Sequence, residues 1–137
     1  MAKRIYVSAM ESQVPGRVRF DPTAEDLFDR LESAGFDVYW NKSWRPYEDI
    51  SAEIAASDAM LAVVDPTWTS STWMAIEICL ALGEHAFGPA IRPIPVFVYP
   101  VSPQSEWGFL RTRLDALKLP RNVEAAFAQV KEALSIP

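Results

Sequence analysis

The sequence predicts an α/β fold, a flavodoxin-like three-layer sandwich around a parallel sheet of four or five strands. Three observations carry that prediction. Strand-like and helix-like segments alternate almost strictly along the chain, the order that generates βαβ units. One run, Ala59-Met60-Leu61-Ala62-Val63-Val64, is apolar at every position, as a central parallel strand covered on both faces requires. Several helical segments carry an apolar stripe at helical spacing, and right-handed crossovers put such helices on both faces of a sheet.

The elements follow in order. Ile5-Tyr6-Val7 is the first strand, ending at Ser8. A long connection from Ala9 to Pro22 contains the turn signal Pro15-Gly16. Thr23 opens a helix, with Asp26 three residues on completing a capping-box-like pair. Ala24, Leu27, Phe28 and Leu31 form its apolar stripe, and Gly35 stands at the C′ position of a helix stop. Phe36 to Trp40 is a second strand. The loop Asn41-Lys42-Ser43-Trp44-Arg45-Pro46-Tyr47 precedes a short helix near Asp49 to Ser57, with Ile50 and Ile54 on one face. Ala59 to Val64 is the third strand.

A helix holding Glu77 comes next. Pro93 to Tyr99 supplies a fourth strand, in which Ile94, Val96 and Val98 alternate and the prolines indicate an edge position. Trp107 to Leu117 reads as helical. The last helix follows Pro120, with Val123, Phe127, Val130 and Leu134 at spacings of four, three and four.

Length and composition bound the rest. At 137 residues, half of them apolar, residues 1–137 make one domain with a real core, without internal repeat, low-complexity tract or linker. The chain reads as a complete stand-alone domain. Thirteen basic against 18 acidic side chains give a formal net charge of −5, which argues against a nucleic-acid binder. Small anionic ligands stay open, since two or three local arginines suffice for a phosphate. The single cysteine, Cys79, lies in the apolar periodicity around Glu77, where cysteine behaves as a small hydrophobe. Met1-Ala2-Lys3-Arg4 leads straight into a strand without a signal sequence, and no apolar run approaches about 18 residues. The expectation is a soluble cytoplasmic protein that does not engage a membrane. His85 is a lone histidine near a helix end, so no metal is expected. Walker A, Gly-x-Gly-x-x-Gly and Gly-x-Ser-x-Gly sequences are absent.

The most informative stretch is Ser71-Thr72-Trp73-Met74-Ala75-Ile76-Glu77, where Glu77 falls one helical turn after Trp73. A carboxylate in the first turns of a helix, beyond the C-terminal end of a buried strand, sits where open α/β sheets bind ligands. Ser8 and Ala9 should end the first strand beside the third strand's exit at Asp65, which is the topological switch point. Asp58 and Asp65 flank the third strand as turn or cap residues, and Trp68 packs over the sheet end or forms a pocket wall. Trp107 anchors the penultimate helix to the core.

These pieces resemble a TIR (Toll/interleukin-1 receptor) domain of bacterial type over nearly the whole chain. The first strand ends at Ser8, as TIR first strands commonly do. Gly35-Phe36-Asp37-Val38-Tyr39-Trp40 and a loop ending Tyr47-Glu48-Asp49-Ile50 resemble the second strand and the BB loop. Ser57 to Val64, then Ser71-Thr72-Trp73 and Glu77, resemble the family's strand, Ser-x-Trp, and Glu four residues after the Trp. Met74 stands where many members have Cys, and the loop has Pro46 but lacks the glycine often found there. The nucleoside 2-deoxyribosyltransferases are a more distant likeness. Their nucleophile would also map to Glu77, but Ser70 and Ser71 replace the Asp and Gly expected before Thr72.

The TIR resemblance implies an NAD glycohydrolase or cyclase, an NAD+ nucleosidase in a bacterial defence signal, with NAD as substrate and no resident cofactor. Breaking the nicotinamide–ribose bond leaves an oxocarbenium-like ribose, which a fixed carboxylate stabilises. Nicotinamide in NAD is already cationic and needs no general acid, so Glu77 alone can serve. Ser8, Ala9, Asp65, Ser71 and Trp73 are the substrate-binding candidates around it. Arg17 and Arg19, in the long loop after the first strand, are candidates for the diphosphate, which a planar guanidinium meets bidentately. Lys42, Trp44, Arg45 and Tyr47 form an interaction loop, and Trp44 can stack on a base as well. In TIR enzymes the BB loop of one copy completes the site of the next, which implies homotypic assembly. Two alternatives stand beside this reading: a nucleoside or nucleotide N-glycosidase or 2-deoxyribosyltransferase, and a non-catalytic interaction module.

Overall fold

Ala59–Val64, apolar at all six positions, is buried at all six and forms the middle of the sheet. In the computed structural model, residues 2–9, 12–14, 17–19, 21–40, 47–66, 68, 71–83, 92–105 and 107–135 are described; for 12–14, 17–19, 47, 48, 72, 73 and 109 this extends to the backbone only. In chain order the elements are β1 (Arg4–Ala9), β2 (Ser12–Val14), β3 (Arg17–Arg19), α1 (Pro22–Ser33), β4 (Asp37–Tyr39), α2 (Tyr47–Ala55) and β5 (Ala59–Val64). There follow α3 (Thr72–Ala81), β6 (Val96–Pro100), a short 3-10 turn (Gly108–Thr112), β7 (Ala116–Lys118) and α4 (Val123–Leu134).

Five strands make one parallel sheet in the order β4-β1-β5-β6-β7. This is the flavodoxin-like order, in which the chain steps outward from β1 to β4, then crosses back to β5. Strand alternation divides the core into two layers. Ile5, Val7, Ala59, Leu61, Val63, Phe97 and Tyr99 pack with Leu27, Leu31, Ala126 and Val130 of α1 and α4. Tyr6, Met60, Ala62, Val64, Val96 and Val98 pack with Ile50, Ile54, Met74 and Ile78 of α2 and α3.

The helix ends have local causes. Asp21 caps α1, accepting from the Thr23 N–H at 2.9 Å, with Pro22 at the first helical position. The helix therefore starts one residue before Thr23, because Asp is a strong N-cap and Pro is favoured directly after it. The Thr23/Asp26 pair is not the cap. Gly35 does end the helix, with φ of +99°, a region that side chains with a Cβ avoid. Gly83, after α3, also has positive φ (+84°), and a Cβ there would lie 2.6 Å from Cγ of Pro93. Only glycine lets the chain leave α3 so close to the segment that enters β6.

Three further expectations need correction. The connection after β1 is not plain loop: β2 and β3 pair antiparallel within it. Two three-residue strands are too short to show a period. The fourth strand is not at an edge, since β6 pairs with β5 on one side and β7 on the other. Pro93 and Pro95 precede its ladder, and Pro95 still accepts from the Met60 N–H at 2.9 Å, because proline lacks a donor but keeps its carbonyl. Finally, Trp107 to Leu117 is not a helix but the 3-10 turn followed by the edge strand β7. Leu110 anchors the turn in the core while Leu114 is 97% exposed, so no helical apolar stripe forms.

Candidate functional site

The return of the chain from β4 to β5 leaves the C-terminal ends of β1 and β5 side by side, with Ala9 in register with Val63. Helix α3 begins just beyond the exit of β5. Ser71 caps it, its Oγ accepting from the Met74 N–H at 3.2 Å. That cap sets the helical phase, and the phase puts Glu77 in the second turn, against β1. Met74, Ile78, Leu80 and Ala81 are buried around it.

Glu77 is the polar group in this layer that needs explaining. It is only 9% exposed, and its carboxylate accepts hydrogen bonds from two residues of β1. The Ser8 hydroxyl donates to Oε1 at 3.0 Å. The Tyr6 phenol donates to Oε2. A carboxylate taken from water is tolerated when hydrogen bonds of this kind replace the lost hydration. Burial, and next the Glu77 charge, push the Tyr6 phenol far above its ordinary range. Both effects favour the neutral phenol, the form that donates to Glu77. A helix-dipole role does not account for Glu77, since that effect fades beyond the first turn and the first turn of α3 holds no acid.

Other predicted residues sit as follows. Ser8 is 1% exposed and joined to Glu77. Ala9 ends β1, but its methyl packs on the α1/α4 layer, leaving its backbone at the crevice. Asp65 follows β5 directly, half-buried, and its carbonyl accepts from the Trp68 N–H at 3.3 Å. The Ser71 hydroxyl is engaged in capping. Trp73 lies in the first turn of α3, and its side chain is outside the described atoms. Arg17 and Arg19 are on β3, again with backbone alone described. Tyr47 opens α2, while Lys42, Trp44 and Arg45 lie outside the described residues, as does His85.

Tyr6 is the site residue that the sequence reading passed over. Its place in an apolar strand makes it look like core, and its ring is core: it is fully buried and tilted against Tyr39 at 5.7 Å between centroids. The available signal was parity. Tyr6 and Ser8 are two residues apart on one strand and so share a face, and that face meets α3.

The flanking features are structural. Asp58 accepts from the Arg4 N–H at 2.8 Å, and the Arg4 guanidinium reaches Asp37 at 3.2 Å and Glu53 at 2.9 Å. That cluster ties β1 to β4 and α2 at the opposite end of the strand from Ser8. Trp68 is buried in the α2/α3 layer and Trp107 packs against the same layer. Cys79 is half-buried. Among the described residues no group of acidic, histidine or cysteine side chains forms a metal cluster, and no helix is long and apolar enough to cross a membrane.

The family model of the TIR domain matches residues 18–132. No curated protein matches. A solved structure that the chain matches is that of the TIR domains of the activated Roq1 resistosome directly recognising the pathogen effector XopQ. The identity is 17% and the TM-score 0.47, with 97% of this chain and 72% of that chain covered.

Proposed function

We propose that this chain, which belongs to the TIR domain family, is an NAD glycohydrolase that cleaves the nicotinamide–ribose bond with Glu77 as its catalytic carboxylate. The observation that carries the reading is the Glu77 carboxylate itself, held by two hydroxyls of β1 beside the switch point of a parallel sheet. A buried, oriented carboxylate is what an oxocarbenium-like ribose needs, because a fixed negative charge acts most strongly where water is excluded. In the reaction the C1′–N bond of NAD breaks and its electron pair leaves with nicotinamide, which departs neutral. Water adds to C1′ and loses a proton, giving ADP-ribose; attack from within the same molecule would give a cyclic product instead.

The same carboxylate suits a nucleoside N-glycosidase or 2-deoxyribosyltransferase. Membership of the TIR family, whose model matches residues 18–132, is what puts NAD first. Its nicotinamide is already cationic and leaves without a general acid, whereas a neutral nucleobase would need one.

Arg17 and Arg19 on β3 are the proposed diphosphate contacts, since β3 follows β1 from the same end of the sheet. Ser8, Asp65, Ser71 and Trp73 border the proposed substrate. The loop holding Lys42, Trp44 and Arg45 and ending at Tyr47 is the proposed contact between copies, with homotypic assembly completing the site in a cytoplasmic signalling role. The experiment is nicotinamide release from NAD by concentrated protein under crowding, with Glu77→Gln beside it and nucleosides as competing substrates. Loss of release in the variant supports the reading; release from nucleosides alone moves it to the alternative.

A further inference from the structure

We propose that Tyr6 is a positioning residue for Glu77, fixing the carboxylate's orientation together with Ser8; this rests on the glycosidic reading above. The last torsion of a glutamate side chain is broad and poorly defined on its own. Here each carboxylate oxygen accepts from a different hydroxyl, Oε1 from Ser8 and Oε2 from Tyr6. Both donors stand on the same face of β1, a central strand paired on both sides. The strand spaces them roughly 7 Å apart along its axis, so the two bonds grip the carboxylate from separate points on one rigid element.

Packing does not require the phenol oxygen. Tyr6 is fully buried in an apolar layer beside Tyr39, Met60 and Ile54, where phenylalanine would fill the same space. What the hydroxyl adds is the bond to Glu77. A donor to the ionised carboxylate also favours that form over the acid. Besides Glu77, the titratable groups that bear on Tyr6 among the described residues include Tyr39 of β4 and Glu53 of α2, and Glu53 is itself paired with Arg4.

The test compares wild type, Tyr6→Phe and Ser8→Ala in nicotinamide release across pH. A parallel reading is the titration of the Glu77 carboxyl in the free folded protein, by carbon-13 NMR with Glu77→Gln for assignment. In Tyr6→Phe, kcat should fall about tenfold to a hundredfold, the range of one charge-assisted hydrogen bond. KM should stay within about twofold, because uniform binding is untouched. Losing a donor to the ionised form should move the acidic limb of turnover upward, together with the carboxyl titration. A merely structural Tyr6 would lower stability and leave both unmoved. A folded Tyr6→Phe with wild-type kcat, limb and titration overturns the proposal. Should Tyr6→Phe not fold, Ser8→Ala reads the same grip from the other oxygen: an upward shift supports it and an unmoved titration overturns it. Should wild type release no nicotinamide, the NAD reading fails, while the carboxyl titration still decides whether Tyr6 holds Glu77.

Discussion

The two layers of this sandwich are built from the same strands and differ in one respect. On the α1/α4 side, Ile5, Val7, Leu61, Phe97 and Tyr99 meet α1 and α4, and the one tyrosine turns its hydroxyl outward to the Arg121 carbonyl at 2.7 Å. On the α2/α3 side, alternate residues of the same strands meet two helices, and a carboxylate is buried with two hydroxyls. The first layer holds the fold. The second holds it too, but carries a polar seam that no packing argument requires. Since β1 supplies Ile5 and Val7 to one side and Tyr6 and Ser8 to the other, a single strand serves both the apolar layer and the polar seam by parity alone.

The largest separation of the two layers should come from Leu61→Ala. Leu61 is 1% exposed in β5 on the α1/α4 side, and its truncation should cost about 3 kcal/mol in urea unfolding. Nicotinamide release per folded molecule should not change. Tyr6→Phe, on the other side, should lose about 2 kcal/mol, as expected when a buried charged acceptor loses a donor, and should lose activity as well. If Leu61→Ala impaired turnover as strongly as Tyr6→Phe, the division between the layers would collapse.

The helix caps sharpen the contrast on a smaller scale. Ser71 caps α3 and Asn122 caps α4, each accepting from a backbone N–H. Alanine at either position should remove about 1 kcal/mol. Only Ser71→Ala should also reduce turnover, since α3 carries Glu77. The smallest effect belongs to the surface. Arg30 of α1 makes a two-pronged pair with Glu124 of α4, both exposed, and Glu124→Gln should shift stability by no more than about 1 kcal/mol, a shift that 1 M salt erases.

What the chain disclosed in advance follows the same division. β5 was legible to the residue because six consecutive apolar side chains leave no choice but a strand covered on both faces. The Ser71 start of α3 and the position of Glu77 were legible from spacing, and the TIR domain match agrees with the family resemblance. Edges were not legible. β7 is three residues long, with Ala116 buried and Leu117 exposed, too few to establish a period of two against one of 3.6. Prolines beside β6 pointed to an edge because sequence alone cannot say whether they stand inside the ladder or before it. Tyr6 was hidden for another reason. Its partner is 71 residues away, and parity with Ser8 places its ring on the α3 face without showing that its hydroxyl is in use.

The central claim is that the Glu77 carboxylate performs glycosidic chemistry, and free nicotinamide measures it most directly. Wild-type protein at high concentration should release nicotinamide from NAD. Glu77→Gln, which keeps the side chain's size but removes the charge and replaces one of the two accepting oxygens with an amide nitrogen, should release it at least about a hundredfold more slowly. A Glu77→Gln protein that turns over NAD at the wild-type rate would contradict the account.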